Sequence, residues 1–199
     1  GVGYAALSSI TTGSNNIGIG RQAGASATTA SSNTGVGFFA LLNNTTGTNN
    51  VAVGTNALLA NTTSGDNVCI GGGAMISNTT GGSNTVVGAY ALDANTTGGS
   101  NVAIGKHALS ANTTAFNNTA VGLHSLKVNT TGTKNTAVGG FALDANTSAD
   151  QNTACGYNSL GANTIGSENS AFGEGALSAN TEGDRNTAVG RAALNFNTT

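Results

Sequence analysis

Charge is scarce in this chain. Lys, Arg, Asp and Glu together supply 7% of its 199 residues, against about 25% in ordinary soluble domains. The formal net charge is −2, and the six basic residues form no stripe that could follow a phosphate backbone, which argues against a nucleic-acid partner. Long apolar runs are missing too. None approaches the ~20 residues needed to span a bilayer, so no membrane span is expected in this segment. Proline and Trp are absent, Met occurs once and Cys twice. The chain opens at Gly1 inside a strand motif, without a signal peptide or initiator Met, and closes at Thr199 inside a coil. That reads as a segment of a longer protein.

The groups that carry chemistry are thinly spread. Asp93 and Asp144 share a place in the repeat but lie three coils apart, ~14 Å by strand spacing and wider than a glycosidase pair. Glu182 and Asp184 fall in one turn, where a solvated cluster is the plainer reading. His107 and His124 occupy one column in consecutive coils, with no Cys, Asp or Glu in that column to complete a metal site. Serine is plentiful, but no G-x-S-x-G elbow occurs. Calcium-binding solenoids carry an Asp in each coil, and this chain does not. The residues therefore predict no catalytic residue, no metal, no cofactor and no enzyme.

What the chain has is period. Glycine recurs at 3, 20, 37, 54, 71, 88, 105, 122, 139, 156, 173 and 190, always 17 residues apart. A short fixed period without insertions is one turn of a solenoid. Residues 1–199 are then a single continuous repeat array, an all-β parallel β-solenoid (a β-roll) of about twelve 17-residue coils. Val, Leu and Asn held in columns separate such a chain from disordered low-complexity sequence.

With the landmark glycine as zero, each coil approximates N-T-A-V-G-x-x-A-L-x-A-N-T-T-G-x-x. Position −1 is Val, Ile, Phe or Cys, and position +4 is Leu or Met except at Gly24. These two ladders are the expected core, on strand propensity and hydrophobicity. Alternation along a strand then turns the small −2 column outward. This column includes Ala103, Ala120, Ala137, Ala154 and Ala171. It either packs tightly within one chain or meets a neighbouring subunit, and the second reading predicts a homotrimer or filament. The segment A-L-x-A-N suits either a second strand or one helical turn, and Ala and Leu favour a short turn-like or helical piece.

Asn stands at −4 in every coil where that place is present, and again at +7 in most coils, followed by Thr throughout. Asn tolerates left-handed backbone, its amide bonds nearby main-chain groups, and identical amides stacked coil on coil can form ladders. Asn-Thr-Thr sequons such as Asn95 and Asn129 are read as corner chemistry, with glycan attachment as the alternative. Cys69 and Cys155 sit in different columns five coils apart, ~24 Å by strand spacing, beyond the reach of a disulfide.

The motif N-T-A-V-G at 118–122, 135–139 and 186–190 resembles the head repeat of trimeric autotransporter adhesins. The longer pattern N-T-A-V-G-x-x-A-L-x-A-N-T-T-G is similar to repeats of phage tail fibres and fibre-like surface proteins. The 17-residue period exceeds the usual adhesin coil. The resemblance implies a homotrimeric β-roll fibre, outside the cell or on a virion, that meets host glycan or protein. Column +2 adds a candidate contact surface: Tyr90, His107, His124 and Phe141 follow one another there, ~14 Å end to end. Their rings either meet a sugar or protein surface or merely cover one another. An ice-binding solenoid, with Thr columns ordering water, is the alternative function, and a tailspike-type polysaccharide-degrading enzyme a more distant one.

Overall fold

The structure, a computed structural model, describes residues 1–198. Eleven strands of three residues each, from β1 (Ile17–Ile19) to β11 (Thr187–Val189), stack in chain order into one parallel sheet. An isolated bridge from Val2 to Ile19 extends the same ladder below β1. Register is strictly columnar: Thr119, Ala120 and Val121 of β7 (Thr119–Val121) face Thr136, Ala137 and Val138 of β8 (Thr136–Val138). The chain is a parallel β-solenoid with one 17-residue coil per strand.

The landmark glycines form a line along the rod, for two reasons. Their φ lies between 123° and 142°, a region that L side chains rarely adopt. Their backbones also touch from coil to coil. A Cβ on Gly88 would lie 2.5 Å from the carbonyl oxygen of Gly105, and one on Gly105 would strike the Gly122 carbonyl in the same way.

The core is the reverse of the sequence-based expectation on one point. The −2 column points inward: Ala103, Ala120, Ala137, Ala154 and Ala171 are all 0% exposed and join the Leu column in one core cluster. The −1 column points outward, with Ile19 45% and Ile104 38% exposed. Alternation held, but its parity was inverted. The interior holds Leu or Met at +4, a small residue at +3 and, at −2, Gly or Ala in most coils, with Cys69 and Val86 as the larger exceptions. The Ala column is consequently sealed inside a single chain and cannot be a subunit interface. The larger inward residues sit within the same cluster, Cys69 placing its sulfur 3.5 Å from that of Met75.

The segment after the glycine is a succession of turns, and no helix occurs among the described residues. The Leu side chains reach the core from backbone in the left-handed region, with φ from 49° to 55° in the Leu residues of that column. Such a conformation costs roughly 1–2 kcal/mol per residue. Burying a Leu contributes about 1.5–3 kcal/mol. From Leu7 to Leu177 the N–H of each Leu in the column is satisfied as well, that of Leu109 donating to the Ser125 carbonyl at 3.0 Å. Burial and hydrogen bonding together outweigh the local strain. Where Ser replaces Ala at +3, the buried hydroxyls of Ser125 and Ser159 donate to the Gly122 and Gly156 carbonyls, both at 3.1 Å.

Both Asn columns are buried ladders. The Asn118 N–H donates to Asn101 Oδ1 at 3.0 Å, and Asn112 Nδ2 donates to Asn95 Oδ1 at 2.9 Å. The two columns converge on one carbonyl per coil, Asn118 and Asn129 donating to Gly132 O at 2.8 and 3.0 Å. Thr at +8 adds a third ladder, as in Thr96 Oγ1 to Thr113 O at 3.1 Å. Corner chemistry thus accounts for Asn-Thr-Thr. In this state the buried amides of Asn95 and Asn129 are engaged and closed to glycan transfer.

Candidate functional site

The +2 column occupies the left-handed region, with φ of 54°, 56°, 58° and 58° at Tyr90, His107, His124 and Phe141. Each of these residues ties its N–H to the coil before it: Tyr90 to Gly72 O, His107 to Ala89 O and His124 to Lys106 O, all at 3.1 Å, and Phe141 to Leu123 O at 2.9 Å. A repeated backbone conformation on a repeated rise sets the side chains one above another. Ring centroids are 5.6 Å apart for Tyr90–His107, 5.6 Å for His107–His124 and 5.2 Å for His124–Phe141. The four predicted residues therefore form one continuous ladder at the turn after the sheet.

A fifth ring extends it. Tyr157, in the neighbouring +1 column, packs edge-on against Phe141 at 5.8 Å. Sequence reasoning confined to one column missed it. The signal was present in Gly140, whose missing side chain leaves Tyr157 room to lean back. A second aromatic group was also missed: the Arg21 guanidinium lies 6.0 Å from the Tyr4 ring and 5.6 Å from that of Phe38 in the coils on either side. These are cation–π distances. Phe38 in turn contacts Phe39 at 3.9 Å.

The ring geometry limits what the ladder can do. Tyr90 and His107 are nearly parallel, at 12°, so these two rings cover each other's faces. His124–Phe141 and Phe141–Tyr157 meet at 90° and 70°. Middle rungs present edges and polar tips to solvent, while Tyr90, at the end of the ladder, is 49% exposed.

Charged groups border the stripe on both sides. Partial burial pushes the Asp93 carboxyl above its ordinary range, against the opposing pull of its own backbone hydrogen bond and of His107. Asp144 is raised in the same way, opposed by its backbone hydrogen bond and by His124 and Lys127. His124 is lowered, first by burial and then by Lys127, His107 and Lys106, with Asp144 opposing. Among the described residues no group of three or more potential metal ligands gathers here or elsewhere, and no cleft opens in the surface.

The outer face of the sheet is the second surface of note. Its two outward columns, at −3 and −1, hold Thr, Val, Ile, Ser, Phe and Cys and no charged residue in any strand. Both cysteines are free, Cys69 buried and Cys155 exposed on this face. No helix among the described residues is long and apolar enough to cross a membrane. No protein-family model matches this chain, and the comparisons with curated proteins and with solved structures found no match either.

Proposed function

We propose that this chain is a structural and adhesive element of an extracellular fibre, on a cell surface or a virion, that assembles as a homotrimer through the outer face of its sheet. The observation that carries this reading is the uncharged, β-branched outer face, continuous over eleven strands. A strip of eleven strands at ~4.8 Å and about 10 Å wide offers roughly 500 Å². A standard interface takes about 800 Å² from each partner. Assembly must therefore recruit the flanking +1 column, where Phe38, Leu123 and Tyr157 are exposed. The resemblance to adhesin heads and tail fibres supports three copies, and the role assigned is mechanical and adhesive rather than catalytic.

The test is a pair of substitutions on the outer face, Val121→Lys with Val138→Lys. Unpaired charge buried in an interface is strongly unfavourable. Each chain should keep its sheet by circular dichroism while the assembly dissociates. An unchanged oligomeric mass in the double variant would remove this face from the assembly.

Ice binding gains one supporting observation as a second reading: the outer face repeats a Thr or apolar rank at every coil, as in Thr119/Val121 and Thr136/Val138. The Thr residues at +8, by contrast, commit their hydroxyls to neighbouring carbonyls. A thermal-hysteresis measurement on dilute protein separates the two readings.

A further inference from the structure

We propose that neighbouring chains of the trimer join along the two rims of the sheet's outer face, the +1 rim of one chain lying against the −5 rim of the next at the same level. This inference rests on the assembly reading and names the joint by which that assembly closes. The −5 column is the place before each Asn at −4, on the side of the outer face away from +1. Two glycines carry the inference, because neither has a task in its own chain that alanine could not perform. The +1 column holds glycine twice, at Gly72 and Gly140. Neither has a left-handed φ. A Cβ on Gly72 would meet nothing within 4 Å, and one on Gly140 would touch the Tyr157 ring at 3.6 Å, an ordinary contact. These same two coils carry a charge on the −5 rim that forms no salt bridge among the described residues, Asp66 in the coil of Gly72 and Lys134 in the coil of Gly140. Both charged residues are exposed. Within one chain the members of each pair stand on opposite sides of the strand between them, on the order of 15–20 Å apart by strand rise. The match of charge to glycine has no use at that distance. Between chains it has a direct one: the glycine leaves room for the neighbour's Asp or Lys and its water.

The remaining levels fit the same joint. Where +1 holds a charge alone, at Arg21 and Lys106, the −5 residue of that coil is Asn15 or Ser100. Where +1 is large and apolar, as at Phe38 and Leu123, the −5 residue is Ser32 or Asn117. In the last two coils both rims are charged, and each neutralises itself within its own chain: Arg185 pairs with Glu168 on one rim and Arg191 with Glu174 on the other, both at 3.4 Å. No level sets two unpaired charges or two bulky apolar groups against each other. A slip of one coil would break the match, bringing Asp66 to Thr55 or Ala89 and Lys134 to Leu123 or Tyr157. At zero stagger a contact between unlike rims returns on itself by rotation alone and closes into a ring, whereas a stagger would open it into a filament. The charged groups then lie at the polar edge of the interface, around its uncharged centre.

The test is disulfide cross-linking in a Cys155→Val background, which removes the exposed thiol and leaves Cys69 buried. Asp66→Cys with Gly72→Cys should give, on mild oxidation, a covalent ring of three chains that reduction dissolves. The two positions are too far apart within one chain for a disulfide, which needs Cα atoms within about 7 Å, so every bridge formed joins two chains. Asp66→Cys with Ala89→Cys, one coil out of register, should give no ring. Gly72→Leu should weaken assembly about tenfold by filling the seam, with the melting of the dissociated chain unchanged, and adding Asp66→Gly should restore assembly. A trimeric mass without cross-linking in the matched pair, or with equal cross-linking in both pairs, refutes the seam and leaves the assembly standing. Covalent products longer than three chains refute ring closure. A monomeric unmodified chain overturns the seam and the assembly together.

Discussion

Ala137→Leu and Val138→Thr, neighbours in β8, should differ sharply in cost because the strand sends one inward and the other outward. Ala137 is 0% exposed, paired in register with Ala120 and Ala154 and enclosed by the Leu column. Leu adds three carbons to a packed space, and overpacking of that kind costs about 1–3 kcal/mol. The upper end applies, since coils on both sides fix the backbone. Val138 is 38% exposed in a single chain, and Thr keeps its shape and branching, so in the dissociated chain the change should stay within about 0.5 kcal/mol. For a chain of this size each kcal/mol moves the midpoint by about 2–4 °C. Ala137→Leu should then lower Tm by about 6–12 °C, and Val138→Thr by about 2 °C at most. Thermal melts followed by circular dichroism at one matched protein concentration read both. The reverse ranking would place Val inside, because a buried Thr hydroxyl without a partner costs about 1–3 kcal/mol.

Gly122→Ala should destabilise by at least about 1–3 kcal/mol through φ strain alone, with φ at 138° and the Gly139 carbonyl 2.5 Å from the new Cβ; hydrogen exchange should open first in the adjacent coils. The lowered His124 contributes stability that is present above its ordinary 6.5 and lost as pH falls through its native value. The raised Asp93 and Asp144 contribute with the opposite sign, fully below their ordinary 3.8 and lost as pH rises through their native values. A shallow loss of Tm between pH 7 and 5, abolished in His124→Gln, is expected, with partial recovery near pH 4. Cys69, whose thiol burial pushes far above the usual range, should resist alkylation until unfolding. Cys155 should label readily in the dissociated Val121→Lys, Val138→Lys chain and slowly in the assembly.

The features that repeat without exception were legible in the sequence. A fixed 17-residue glycine interval could only mean stacked coils, and Asn columns at two corners announced the ladders seen at Asn118 and Asn112. The parity of the strand was not legible. Hydrophobicity ranks Val above Ala, but the face a strand turns inward is set by where the closed coil brings the Leu column, and the −2 residue meets that column whether it is Ala120 or Val86. Left-handed backbone at Leu109 and His107 was equally hidden, since propensity assigns it to Asn and Gly. The ladder Tyr90–His107–His124–Phe141 was readable as a column, whereas Tyr157 joins it from the next column through a turn geometry that spacing alone does not encode.

The most direct test of the account is the solution mass of the unmodified chain, by light scattering across a concentration series. Three chains of 19.2 kDa moving as one particle at micromolar concentration is the predicted result. A single 19.2 kDa species at every concentration would contradict it, leaving the outer face of the sheet exposed to water and the fibre without its joint.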